Sequence, residues 1–260
     1  MPVPDLPPLP PGTQPSPAPQ PTSGGLGAFT EATGRGLHES TEAHQRHYRA
    51  FQRDLIAPHC GSSVLEVGAG LGEFAAQLSG LERHVITDAD PDAVASIARR
   101  FVGCPGVEVR VFDLAQPALD LDPKVSSVVA INVLEHIEDD VGALRSLAGM
   151  TQPGGRIVLW VPAYMQLYGE FDRAVGHFRR YTPRTMTRAI RDAGLTPEVV
   201  RPVNLLGGIA WWATVRRGGV GAPNPRLVRT YDRVVVPATR ALERWVPAPF
   251  GQSVLAVARV

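Results

Sequence analysis

Three glycines, Gly68, Gly70 and Gly72, crowd the stretch VLEVGAGLGEF, two residues after an acid at Glu66. A turn so poor in side chains lets a ligand come close to the backbone. Asp88 follows twenty residues after Gly68, and Asp113 lies further on; both acids end apolar stretches. A second reactive group lies in YMQLYGEFDRAVGHFRRYT, Tyr164 to Thr182, which carries Tyr168, His177, Arg179, Arg180 and Tyr181. Histidine exchanges protons near neutrality, so His177 suits removal of a proton from a hydroxyl or amine. The two arginines suit an anionic acceptor, and the tyrosines offer aromatic walls. His47 and Tyr48, nearer the N-terminus, are further candidates for contact with a substrate.

Strands and helices must alternate to hold these residues. Val64–Val67 reads as a short strand, with Leu71, Phe74 and Leu78 marking a helix after it. His84–Thr87 is a second strand. In DPDAVASIARRF, Asp90 is an N-cap, Pro91 opens the helix, and Val94, Ile97, Ala98 and Phe101 share a face. Val107–Phe112 and Val125–Ile131 are strands. Asp139 and Asp140 suit the first turn of a helix burying Val141, Leu144, Leu147 and Ala148. QPGG turns into a strand at Arg156–Val161, Thr182-Pro183 opens a helix ending at Gly194, and Val199–Val203 and Ser253–Val260 close the pattern. Such alternation implies an α/β fold, a parallel sheet with helices on both faces. Before it, His44, Tyr48, Phe51 and Leu55 recur at helical spacing, giving an N-terminal cap over residues 37–60. Two further helices are expected in an insert, 204–250, which carries Trp211, Trp212 and Trp245; these read as ordinary core, ahead of an apolar acceptor pocket or a membrane-touching surface.

Ten of the 25 prolines lie between Pro2 and Pro21, so residues 1–36 read as a disordered, proline-rich tail and 37–260 as the folded domain. A formal net charge of +1 provides no global field for nucleic acid or an anionic membrane. Cys60 and Cys104 form neither a disulfide framework nor a metal pattern. With no signal-peptide pattern and no apolar run long enough to span a bilayer, a cytoplasmic location without stable membrane insertion is expected. Oligomeric state is open.

Two ligand classes use a glycine-rich first turn. Dinucleotide binders need G-x-G-x-x-G, and Glu73 stands where the third glycine belongs, against a pyrophosphate. The other pattern, E/D-x-G-x-G, fits Glu66 to Gly70. Here the sequence, from about Ser40 onward, resembles the class I S-adenosylmethionine-dependent methyltransferases. VLEVGAGLGEF, VITDADP, VRVFDLAQP, INVLEHIEDD and PGGRIVLWVP are similar to five of that family's strand motifs, in order. The resemblance implies a Rossmann-like seven-stranded sheet and S-adenosyl-L-methionine as cofactor, with S-adenosylhomocysteine as product. It places Gly68, Ala69 and Gly70 against the homocysteine portion and Asp88, beside Ala89, on the ribose hydroxyls. Asp113 and Leu114 would meet adenine, and Glu66 and Asn132 the ammonium end. The Tyr164–Thr182 stretch resembles a bacterial small-molecule subgroup with G-H-Y-R-R-Y-T, Phe178 replacing a tyrosine; it would form a lid, 162–182, over a small, apolar or lipid-like acceptor. Relatives that methylate quinol precursors carry an acid before an E-H pair, a set linked to metal. Glu135-His136 match the pair, but Asn132 replaces the acid, so no metal is expected and His136 is read as orienting its loop. An NAD-type oxidoreductase and a non-catalytic binding module are the alternatives.

Overall fold

The computed structural model describes residues 45–216 and 225–260. The tail at 1–36, His44 and the start of the 37–60 cap lie outside the described residues. Seven strands, β1 (Ser63–Val67), β2 (Arg83–Asp88), β3 (Val107–Val111), β4 (Val125–Ile131), β5 (Thr151–Pro162), β6 (Thr196–Val203) and β7 (Ser253–Arg259), join in the order β3-β2-β1-β4-β5-β7-β6. Strand order reverses between β1 and β4, so a ligand crevice opens at their carboxyl ends. The helices are α1 (Arg46–Ile56), α2 (Pro91–Arg100), α3 (Asp140–Met150), α4 (Glu170–Ala174), α5 (Pro183–Asp192), α6 (Leu205–Arg216), α7 (Pro225–Thr230) and α8 (Val236–Glu243).

The continuously apolar strands are explained by coverage on both faces. Val128, Ala130, Leu159 and Val161 pack into one core with Leu144, Leu147 and Ile190; Val129, Val158 and Trp160 pack into a second with Phe51 and Ile56 of α1. Alternate residues of a strand point to opposite faces, which is why neighbours in sequence divide between the two cores. Asp90 caps α2 as expected, accepting from the Asp92 N–H at 2.8 Å, and Asp139 caps α3 through the Gly142 N–H at 2.8 Å.

Three expectations are corrected. The sheet is not wholly parallel: β7 runs antiparallel to both β5 and β6. Next, the Leu71–Leu78 region forms no α-helix, only turns and one 3₁₀ turn at Ala75–Gln77. Gly68, Gly70 and Gly72 all adopt left-handed conformations, with φ of 70°, 59° and 73°. Few residues are then left before β2 to form a helix whose nucleation is costly. Phe74 nonetheless stays buried. Finally, QPGG belongs to the long β5, with a register shift between Val125 and Ser127 where the strand meets β4.

Among the described residues the insert is largely helical, as expected. A π segment at Tyr231–Val235 joins α7 to α8, directly before Pro237, where a missing N–H and a ring clash would otherwise break the ladder.

Candidate functional site

The glycine turn is held from two sides. A Cβ on Gly68 would sit 2.5 Å from Val133 Cγ2, so the loop leaving β4 lies directly on the turn. Gly70 has open space where its Cβ would be, and its N–H donates to Asp88 Oδ2 at 2.8 Å. Asp88 Oδ1 accepts from the Asp90 N–H at 2.9 Å. Burial raises the Asp88 carboxyl above its ordinary pKa, against these backbone donors. The Ala69 N–H donates to the Thr87 carbonyl at 2.9 Å, and Ala89 follows half-buried on the β2 side. Turn and β2 are thereby tied, leaving an uncovered cradle at Gly70.

Glu66, expected at the ammonium end of the cofactor, is buried. Its carboxylate is 3% exposed, 3.5 Å from His84 Nε2 and close to the Ala75 N–H, beneath the turn. Burial raises its pKa. This arrangement props the turn from below. Asp113 Oδ1 accepts from the Ala115 N–H at 2.9 Å, while the Leu114 side chain is core. Asn132 is exposed at φ 53°, its N–H donating to the Trp160 carbonyl at 2.7 Å. The left-handed conformation turns the chain sharply back toward the lid.

The 3₁₀ turn Leu134–His136 carries a fully buried Glu135 and a half-buried His136. The lid reaches it from above: the Phe178 N–H donates to the Glu135 carbonyl at 2.9 Å, and the His136 and His177 rings meet edge-on at 4.6 Å. His177 Nδ1 is 2.7 Å from Asp172 Oδ1, and Nε2 is 3.9 Å from Glu135 Oε1. Arg180 clamps Asp172 through Nε at 2.8 Å and Nη2 at 3.0 Å. Burial alone would raise the Asp172 carboxyl, but hydrogen bonds from His177 and Arg180 outweigh it and hold it below its ordinary range. Glu135 is pushed up to about 8 by burial, with neither oxygen hydrogen-bonded. His136 is pushed down to about 4, chiefly by burial and then by His177. Its ring also bonds the backbone at Val175 and Gly176.

The side chains expected to meet a substrate also make contacts within the protein. Tyr181 is 2% exposed and donates to Asp140 Oδ2 at 2.9 Å, closing the first core. The Tyr168 hydroxyl donates to the His177 carbonyl at 2.8 Å, bracing the lid. Arg180 is buried on Asp172, and Arg179 pairs with Asp140 at 2.9 Å while bonding the Glu138 carbonyl, so both pin the lid. Tyr48 packs on Trp160 and Tyr231 in the second core, on the opposite face from Tyr181, and burial raises its hydroxyl pKa. His47 is exposed; its N–H and that of Tyr48 donate to Asp232. The expected substrate residues thus do not share one wall. Asp172, the hub of the lid, was given no role from the sequence, although the Asp172-Arg173 pair belongs to the D-R…G-H-Y-R-R-Y-T pattern that the stretch resembles.

Residues 41–200 match the family described as Methyltransferase domain. The chain belongs to that family. Its fold and motifs are those of the class I S-adenosylmethionine-dependent methyltransferases, and S-adenosylmethionine is the methyl donor the family implies. The chain is 27% identical over 174 residues to a 37.1 kDa protein of a Streptomyces fradiae transposon, covering 61% of this chain and 50% of that protein. It is 29% identical over 146 residues to an uncharacterized methyltransferase of Mycobacterium bovis, covering 51% of this chain and 57% of that one. The chain thus spans about half the length of these curated relatives. In structure it is similar to a complex between a Haloferax volcanii Trm112 methyltransferase activator and a methyltransferase. The TM-score is 0.61 at 19% identity, covering 89% of this chain and 96% of that one. Gly70 has open space beside Asp88, and Glu73, at the position of the third dinucleotide glycine, is bound by Arg49 of α1.

Proposed function

We propose that the methyltransferase moves the methyl group of S-adenosylmethionine to an oxygen or nitrogen of a small, apolar or lipid-like acceptor by one direct displacement. The carbon–sulfur bond breaks as the carbon–oxygen or carbon–nitrogen bond forms, and the electron pair stays on sulfur in S-adenosylhomocysteine. The observation that supports this reading is the contact of Val133 with Gly68: the turn that follows Val133 carries Glu135 and His136, and both lie close to His177. The sulfonium is already a good leaving group, so placement of the acceptor and exclusion of water are the chief tasks. Asp88 would hold the ribose, Asp113 and Leu114 the adenine, and Gly68, Ala69, Gly70, Ala89 and Asn132 would line the remainder of the cofactor. His177 would accept the acceptor's proton at Nε2, with Nδ1 held by Asp172. Phe171 and Trp211, with rings 5.6 Å apart, would provide apolar wall where the lid meets α6.

Calorimetric titration separates this reading from an NAD-type enzyme: S-adenosylhomocysteine binds and NADH does not. Transfer of labelled methyl from donor to a bacterial extract should place the label in a solvent-extractable small-molecule fraction. Label confined to protein or nucleic acid would overturn the acceptor class, and no transfer at all would favour a binding module.

The Glu135 oxygens favour a second reading of the same cluster. One donor atom each from Glu135, His136 and His177 lies within 4.8 Å of the others, so the lid histidine takes the place left open by Asn132. Two imidazoles and a carboxylate suit a zinc-like divalent ion. Asp172 on the far nitrogen of His177 is the partner such a ligand needs. When bound, the ion would polarise the acceptor oxygen. Elemental analysis of the purified protein should find one such ion per chain, lost in Glu135→Gln. A metal-free, fully active protein leaves the proton-acceptor reading alone.

A further inference from the structure

We propose that the outer face of the α7–α8 helix docks on an anionic bilayer surface. The expected role of its tryptophan as core fails: Trp245 is 88% exposed. Seven of the eleven large hydrophobic side chains exposed among the described residues fall between Leu205 and Phe250, so the exposure is concentrated rather than scattered. Val234, Ala238, Ala241, Leu242 and Trp245 recur at three- and four-residue spacing, and all are exposed. The Trp245 N–H bonds the Leu242 carbonyl at 3.1 Å, carrying the helical turn past Glu243. At 3.6 residues per turn these side chains form one stripe, opposite the buried side of Asp232, Val236 and Thr239.

Charge identifies the occupant. Five arginines and two acids lie between Pro225 and Val246. Both acids turn inward: Asp232 accepts from the His47 and Tyr48 N–H groups, and Glu243 from the Leu205 N–H at 2.7 Å. Arg233, Arg240 and Arg244 share the flank beside the apolar stripe; Arg240 also reaches Asp54, while Arg233 and Arg244 are exposed. An apolar stripe ending in a tryptophan, flanked by arginines and no outward acid, is the composition of a helix lying in a lipid headgroup layer. Among the described residues no helix is long and apolar enough to cross a membrane, so the contact is peripheral.

Co-sedimentation of the full chain with vesicles tests this. Vesicles of phosphatidylcholine containing roughly one third phosphatidylglycerol should bind the protein at least tenfold better than phosphatidylcholine alone, less so as salt is raised. Trp245→Ser with Leu242→Ser, and separately Arg233→Glu with Arg244→Glu, should each reduce binding about tenfold. Arg99→Glu, an exposed position on α2, should not. These side chains are exposed, and unchanged melting and S-adenosylhomocysteine binding verify that the variants fold. No binding to anionic vesicles, or binding equally sensitive to Arg99→Glu, overturns the proposal. So does a concentration-dependent dimer abolished by the Trp245 variant, which would assign the stripe to a second copy of the chain.

Discussion

Nδ1 of His177 lies 2.7 Å from Oδ1 of Asp172, a carboxylate that Arg180 grips with two nitrogens. The imidazole is thereby fixed in orientation with Nδ1 as donor, which leaves Nε2 to face Glu135. Removing His177 as His177→Ala should lower kcat by roughly 10²–10⁴-fold while S-adenosylhomocysteine affinity stays put. Asp172→Asn should lower kcat as well and shift the pH–rate profile, since the orienting charge is gone. It should also melt earlier, because Arg180 is left buried with its charge uncompensated, a loss of about 3–5 kcal/mol. Unchanged kcat in His177→Ala would leave placement of the acceptor as the whole mechanism.

Asp88 joins β2 to the glycine turn, so its loss acts twice. Asp88→Ala should weaken S-adenosylhomocysteine binding by about 1.5–3 kcal/mol, the scale of a charge-assisted hydrogen bond. Asp88→Asn keeps an acceptor for one of the two backbone N–H groups and should recover part of the melting temperature but little of the affinity. Calorimetry and thermal melts read the two effects separately; equal affinity in wild type and Asp88→Ala would place the ribose elsewhere.

Gly68 and Gly70 share a left-handed backbone but not their surroundings. An alanine costs about 1–2 kcal/mol in that conformation at either place. At Gly68 its Cβ also meets Val133 Cγ2 at 2.5 Å, so Gly68→Ala should be the less stable protein. Gly70→Ala has room for its methyl in the free protein and should lose mainly cofactor affinity. A Gly70 variant with normal affinity would mean the cradle is not used.

Glu135 and His136 tilt stability in opposite directions with pH. The Glu135 carboxyl, raised to about 8, favours the fold while neutral; that contribution is complete below its ordinary 4.5 and fades as pH climbs through 8. The His136 imidazole, lowered to about 4, also favours the fold while neutral; its contribution is complete above its ordinary 6.5 and fades as pH drops toward 4. Melting curves of chelator-treated protein should therefore show a plateau with losses on both sides. Glu135→Gln should remove most of the alkaline loss, and His136→Asn should shrink the acid one. Added zinc should restore stability at pH 8 in wild type but not in Glu135→Gln.

Local signals were enough for much of this molecule. The apolar runs of β1, β4 and β5 need cover on both faces, so a layered α/β arrangement follows from side-chain chemistry alone. The cap at Asp90 depends on contacts within a few residues and was legible, as were the helix start at Asp139 and Asp140 and the tight glycine turn at 68 to 72. What long-range packing decides was not. The reversed direction of β7 and the inward commitment of Tyr181 and Arg179 to Asp140 depend on partners far away in the chain. Asp172 belonged to a recognised motif but had no role until the fold buried it between His177 and Arg180, and Trp245 read as core yet no element among the described residues covers it. Periodicity records which residues prefer to leave water; only the tertiary structure decides which surface, if any, receives them.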